Sequence, residues 1–291
     1  MTGKIIKGIA GFYYVMCKEK IYCCKAKGIF RNKKIKPLVG DDVEFSVLNE
    51  ETANGNIIDI LPRHNQLIRP AVSNNDMAIV VLSITKPDPQ FILLDRYLIN
   101  MEICHIPVAI LWNKIDLDID DKFQEYSAIY EQAGYKSMAV SAVDGRGIDE
   151  LKAFLNNKTM VFAGPSGVGK SSITNILCPK AEMITNTIST KIERGRHTTR
   201  HSELFCIGKD SYICDTPGFT AIYVDNLEPQ ELKSYFPEFS RYQAKCRFNG
   251  CNHLAEPECA VKDAIIKGEI PEIRYKSYVK MYRELEDKKK Y

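Results

Sequence analysis

No apolar run in the 291 residues approaches the eighteen or so that a membrane-spanning helix requires, and no signal-peptide core opens the chain. Ten cysteines are present without the spacing of a disulfide framework. Cys17, Cys23, Cys24, Cys104, Cys178, Cys206 and Cys214 are scattered, several of them inside apolar stretches. That usage fits a reducing compartment, so the expectation is a soluble cytoplasmic protein with no membrane partner. Net charge is only +3, but it is unevenly spread. Residues 1 to 36 carry ten Lys or Arg against the single acid Glu19, whereas the stretch from there to Pro62 is acidic. The asymmetry points to a phosphate-rich partner for the N-terminal segment.

What is present is more specific. Gly164-Pro165-Ser166-Gly167-Val168-Gly169-Lys170-Ser171 fits G-x-x-x-x-G-K-[ST]. In that pattern glycines let successive backbone N–H groups close around phosphate oxygens, Lys170 supplies a point charge, and Ser171, followed by Ser172, serves a bound Mg²⁺. The apolar run Thr159 to Ala163 reads as the preceding strand, and Ser171 to Leu177 as the helix whose N-terminus faces the phosphates.

Asn113-Lys114-Ile115-Asp116 ends a second strand-like run, Pro107 to Trp112. An Asp in that place can accept both the N1–H and the 2-amino group of guanine, whereas adenine would face it with an acceptor and leave its charge unpaired. After Ser137 to Val140, the Ser141-Ala142 pair would place backbone amides near the guanine oxygen. Asp215-Thr216-Pro217-Gly218 follows the run Ser211 to Cys214. It suits a carboxylate that reaches Mg²⁺ through water while the Gly218 amide meets the γ-phosphate.

Between these lies Gly195-Arg196-His197-Thr198-Thr199-Arg200-His201, polar and without hydrophobic period. It reads as a switch segment, in which Thr198 or Thr199, with Thr199 preferred, completes the Mg²⁺ shell. Phe219 stands where many GTPases carry the Gln that orients water, so another group must place the nucleophile, and His197 is the best-placed imidazole. The competing reading of His197 is a solvated residue of a basic loop.

Cys246, Cys251, His253 and Cys259 crowd into fourteen residues. Three thiolates and one imidazole match a closed tetrahedral Zn²⁺ site, structural because no coordination position stays open. The tight Cys251 to His253 step implies a knuckle-like loop and not a DNA-reading finger helix.

Around these motifs the chain divides into three. Short strand-like runs at Lys7 to Met16, Lys20 to Lys27, Asp41 to Leu48 and Gly55 to Leu61 suggest a five-stranded barrel of the OB type over residues 1–65. Phe12, Tyr13, Tyr14, Tyr22 and Phe30 there either stack on RNA bases or fill the barrel. Over residues 66–225, strands such as Met77 to Ile84 alternate with helix-like segments Phe91 to Glu102, Asp121 to Ala133 and Asp149 to Leu155, an α/β signature. Residues 226–291 read as mostly helical, with Pro229 to Phe236 and Cys259 to Lys267 flanking the metal loop. A last helix from about Pro271 to Lys289 is expected to pack its tyrosines on its own domain.

The guanine-reading motif and Ser141-Ala142 precede the phosphate loop, the switch segment and Asp215, the reverse of the ordinary GTPase order. With this order, the Gly-Arg-His-Thr-Thr segment and the cysteine cluster, the whole chain resembles the RsgA (YjeQ/YloQ) family of circularly permuted GTPases. The resemblance implies a GTPase that assists late maturation of the 30S ribosomal subunit and is stimulated by it. It further implies a barrel that contacts 16S rRNA and His197 in stimulated hydrolysis. GTP or GDP, Mg²⁺ at the nucleotide and one structural Zn²⁺ are the expected cofactors, and a monomer that binds no DNA is the expected state. Gly167 stands where potassium-activated GTPases carry Asn, so no K⁺ requirement is indicated. Two alternatives are a GTP-regulated RNA-binding adaptor with little hydrolysis and a GTPase acting on another RNA.

Overall fold

A computed structural model describes residues 1–27, 30, 35–68, 70–178, 202–215, 224 and 227–289. The N-terminal segment holds β1 (Thr2–Ile9), β2 (Phe12–Cys17), β3 (Lys20–Ala26), β4 (Asp42–Asn49) and β5 (Asn54–Ile60). Two short strands, β6 (Gln66–Leu67) and β7 (Val72–Ser73), lead to β8 (Met77–Ser83) and helix α1 (Phe91–Ile103). Next come β9 (Val108–Asn113), α2 (Lys122–Gln132), β10 (Lys136–Ala139), α3 (Ile148–Leu155), β11 (Thr159–Ala163), α4 (Lys170–Leu177), β12 (Glu203–Gly208) and β13 (Ser211–Asp215). The C-terminal stretch holds a 3₁₀ segment (Pro229–Tyr235), the short α5 (Ser240–Gln243), α6 (Ala260–Ile266) and the long α7 (Glu272–Lys289). Contacts group the chain into two compact units, Met1–Ala78 with Asp149–Ala163 and Lys170–Phe219, and Ile79–Ile148 with Gly164–Gly169 and Thr220–Tyr291.

In the first unit, β1 to β5 close into a barrel. β1 pairs antiparallel with β2 and with β4, β2 with β3, and β4 with β5, while β3 runs parallel to β5. The run expected to be one strand from Lys7 to Met16 is two. Ala10 and Gly11 both take positive φ, at 50° and 86°, and turn the chain into a hairpin within the uncharged run Gly8 to Met16. The barrel interior is apolar, with Ile5, Val15, Cys24, Val43, Phe45 and Ile57 fully buried. Its exit is fastened by one buried carboxylate: Asp41 accepts Arg63 Nε at 2.6 Å, Arg63 Nη2 at 2.8 Å, Ser73 Oγ at 2.6 Å and Leu38 N–H at 2.7 Å. A buried charge so fully bonded holds the chain leaving the barrel against its wall. β12 extends this sheet onto β1 at Lys7 opposite Glu203, where Lys7 Nζ and the Glu203 carboxylate are 2.8 Å apart. β13 pairs with β12 antiparallel and with β11 parallel.

In the second unit β8, β9 and β10 lie side by side, β9 parallel to β10. β8 and β9 are buried along almost their whole length, as strands covered on both faces must be. The C-terminal elements pack on α1: Ile99 joins Leu232, Phe236, Phe239, Val261, Tyr278, Met281 and Tyr282 in one apolar core. At its polar centre the Arg274 guanidinium, fully buried, donates Nε and Nη2 to Glu238 at 2.8 and 3.1 Å and Nη1 to Asp95 of α1. The Tyr130 hydroxyl also donates to Asp95, at 3.1 Å. Burial pushes the Asp95 carboxyl upward against the pull of Arg274, and the two carboxylates around Arg274 raise its own pKa. Tyr278 and Tyr282 of α7 are buried in this core, which they share with Ile99 of α1 as well as with the C-terminal elements.

Candidate functional site

The candidate guanine-reading loop starts where β9 ends. Asn113 is 1 % exposed and is used from both sides: Nδ2 donates to the Val168 carbonyl at 2.8 Å, and Oδ1 accepts the Ala142 N–H at 3.1 Å. It thereby fixes the end of the phosphate loop and the Ser141-Ala142 segment to one side chain. Gly169, at φ +94°, is forced by this contact, because a Cβ there would stand 2.2 Å from Asn113 Nδ2. Lys114 takes a left-handed conformation, φ 65°. Its ammonium donates to the Gly167 carbonyl at 2.8 Å and to the Lys86 carbonyl. Lys86 lies in a turn after β8 whose Pro87 carbonyl accepts the buried Ser83 Oγ at 2.6 Å.

Asp116 is half-buried, and its Oδ1 accepts the Ser141 hydroxyl at 2.7 Å. The same Ser141 oxygen accepts the N–H groups of Val143 and Asp144, each at 3.2 Å. Orientation of Asp116 by a side chain 25 residues onward was not visible in the sequence, where only the backbone amides of Ser141-Ala142 drew attention. The Ala142 amide is already engaged by Asn113. Oδ2 of Asp116 has no hydrogen-bond partner among the described residues.

The phosphate loop runs from the end of buried β11 into α4. Ser166 and Gly167 are exposed at its crest, while Gly164 and Val168 are buried at its two feet. Lys170, Ser171 and Ser172 form the first turn of α4, which Ile173, Thr174 and Leu177 seat in the core. Backbone N–H groups at this helix start are intrahelical orphans and favour anions. Asp215 ends β13 in register with Phe162 of β11, one residue before the strand finishes at Ala163. His197, Thr198, Thr199 and Gly218 lie outside the described residues.

A second constellation forms in the C-terminal core. The ligand atoms of Cys246, Cys251, His253 and Cys259 all lie within 4.8 Å of one another. His253 Nδ1 is 3.3 Å from Cys259 Sγ and 3.7 Å from Cys246 Sγ, and the Cys246 and Cys259 sulfurs are 3.9 Å apart. Two thiolates at about 2.3 Å from a tetrahedral zinc would be about 3.8 Å apart, so the donor set fits that ion. Burial pushes the Cys251 thiol up to about 12 and the His253 imidazole down to about 4, so at neutral pH the imidazole offers a lone pair. The loop is held from outside: Tyr275 and Tyr278 of α7 donate to the carbonyls of His253 and Asn252 at 2.7 and 2.6 Å, and Lys233 donates to that of Cys251 at 2.8 Å.

On the barrel the candidate RNA-contacting aromatics separate. Tyr22 and Phe30 are interior, each 4 % exposed, and Tyr22 packs on Phe45 at 5.1 Å between ring centres. Phe12 is 39 % exposed with the Lys25 ammonium 5.0 Å above its ring, and Tyr13 and Tyr14 are half-buried. Among the described residues no helix is long and apolar enough to cross a membrane.

The sequence profile described as RsgA GTPase matches residues 60–225, and that described as RsgA N-terminal domain matches residues 2–57. The chain belongs to the RsgA GTPase family. Small ribosomal subunit biogenesis GTPase RsgA of Agathobacter rectalis is 53 % identical over 302 residues, covering all of both chains. The RsgA of Alkaliphilus metalliredigens is 46 % identical, covering 99 % of each. Two solved structures are similar over nearly the whole chain. YloQ, described as a circularly permuted GTPase, has 38 % identity and a TM-score of 0.79, and covers 99 % of this chain and 95 % of its own. YjeQ from Thermotoga maritima has 36 % identity and a TM-score of 0.82, with 98 % of both chains covered. The architecture is that of the RsgA family: a five-stranded barrel, a circularly permuted GTPase domain and a helical region with a Cys/His cluster.

Proposed function

We propose that this GTPase binds the 30S ribosomal subunit, assists its late maturation, and hydrolyses GTP to GDP and phosphate when docked there. The observation that carries the reading is the bonding of the guanine-reading loop to the phosphate loop, Asn113 to Val168 and Lys114 to Gly167, in a chain whose relatives are named small ribosomal subunit biogenesis GTPases. Asp116, aimed by Ser141, reads the guanine edge. Backbone amides of 166–169 and the Lys170 ammonium hold the β- and γ-phosphates. Ser171, Asp215 and a switch threonine, Thr199 in preference to Thr198, serve Mg²⁺, which neutralises charge on the phosphates when bound. Gly218 meets the γ-phosphate through its amide. His197 places the water whose oxygen attacks the γ-phosphorus as the bond to the bridging oxygen of GDP breaks.

Residues 1–65 form the RNA-contacting barrel and dock on 16S rRNA through Phe12 and the surrounding lysines. Residues 66–225 are the GTPase domain. Residues 226–291 form the helical domain, with one structural Zn²⁺ on Cys246, Cys251, His253 and Cys259. The protein acts as a cytoplasmic monomer.

Steady-state GTP hydrolysis by the purified protein alone, with 30S subunits and with 50S subunits tests this, with His197→Ala beside wild type. Large stimulation by 30S only, lost in the variant while GTP binding persists, is expected. Absence of stimulation by 30S overturns the partner, and full stimulation of the variant overturns the role of His197.

A further inference from the structure

Contacts hold the phosphate loop toward both of its ends, and those toward its far end come from the known motifs. Lys114 holds the Gly167 carbonyl and Asn113 holds the Val168 carbonyl, both toward the loop's end. At its start, Gly164 sits at φ +136° against β8, where a Cβ would stand 2.2 Å from the Val81 carbonyl oxygen. The Gly164 backbone N–H is hydrogen-bonded to the hydroxyl of Tyr97 on α1. Tyr97 is fully buried, so its oxygen is a fixed acceptor shielded from competing water. Neither the nucleotide motifs nor the sequence reading of α1 singles it out.

We propose that Tyr97 is a positioning residue for the phosphate-binding loop, fixing its first residue so that the amides beyond it converge on phosphate oxygens. The inference rests on the reading of 164–171 as a GTP-binding loop. Electrostatic binding by backbone dipoles depends on their being aligned before the ligand arrives, since reorganising them costs binding energy. A loop anchored at both ends is aligned in advance, and one anchored only at its far end is not. The opposite side of the same helix carries Asp95, bonded to Arg274, and Ile99, packed in the C-terminal core. The anchor of the loop is therefore itself braced by the helical domain.

The test compares Tyr97→Phe with Tyr130→Phe, which also removes a hydroxyl from a buried hydrogen bond to α1, at Asp95. Affinities for GDP and for inosine diphosphate are measured by fluorescence titration, with thermal stability alongside. Loss of one such bond predicts that Tyr97→Phe weakens both nucleotides by about fivefold, leaving their ratio unchanged because the base contacts are intact. Tyr130→Phe should lose stability while keeping wild-type affinity. Affinity of Tyr97→Phe within twofold of wild type overturns the proposal. Equal losses in both variants also overturn it, by assigning the effect to general loosening of α1. Should Tyr97→Phe not fold, hydrogen exchange at the Gly164 amide of the nucleotide-free wild type decides: slow exchange is required, and exchange at the rate of an open loop overturns the role. Wild type that binds neither nucleotide would instead refute the GTP-site reading itself.

Discussion

In the proposed GTP site, base recognition is shared between a reader, Asp116, and its support, Ser141. Asp116→Asn replaces two acceptors by an acceptor and a donor, so preference should move from guanosine to xanthosine nucleotides; unchanged selectivity in competition titrations would refute base reading by Asp116. Ser141→Ala should relax guanine selectivity more weakly, since the carboxylate remains but is no longer aimed. Gly169→Ala places a methyl into Asn113 Nδ2 and should abolish GDP binding in a folded protein, as measured by titration and circular dichroism. These positions differ in legibility for a physical reason. Phosphate and guanine dictate residue types at fixed spacing, so Lys170 and Asp116 announce themselves. The Tyr97 and Ser141 hydroxyls engage residues distant in the chain, Gly164 and Asp116; the sequence pointed to Ser141 only for its backbone amide and to Tyr97 not at all.

Among the elements, helices and buried strands were readable nearly to their ends, because α1, α2 and α3 sit between turn-formers and carry helical apolar spacing. The β1–β2 hairpin was not, since an uncharged run from Gly8 to Met16 passes through Ala10-Gly11 without a polar break. The Arg274 cluster was equally hidden: α7 shows no clean stripe because it buries an arginine among its tyrosines. Arg274→Met leaves Asp95 and Glu238 buried without their cation and should cost about 3–5 kcal/mol in denaturant unfolding. In the Cys/His loop, burial lowers the His253 pKa to about 4. Its contribution to stability is therefore complete above the unfolded value of about 6.5 and is lost as pH falls toward 4. Protons also compete for the thiolates, so both effects run in one direction. Zinc release followed with a chromogenic chelator should rise on acidification across that window and be accompanied by loss of the C-terminal core; release independent of pH would contradict the ligand set.

For the molecule as a whole, permutation puts the guanine-reading loop before the phosphate loop in the chain yet leaves them hydrogen-bonded. The order was visible in the motifs, whereas the bracing of α1 by α7 required the folded structure. Deleting α7 should expose the apolar core around Tyr278 and Ile99, giving a chain that binds a hydrophobic dye and loses GDP affinity. A soluble truncation with wild-type affinity would show that the GTPase half does not depend on it.

The lone tryptophan bears on how such experiments can be read. Trp112 is fully buried, one residue before Asn113, with Tyr126 and Tyr130 rings 5.4 and 6.3 Å away. All indole emission thus originates beside the strand end that carries the guanine-reading loop, excited in part through those tyrosines. The protein has its own optical probe of that loop, and ligand-dependent changes in emission need no added label to be assigned to a place.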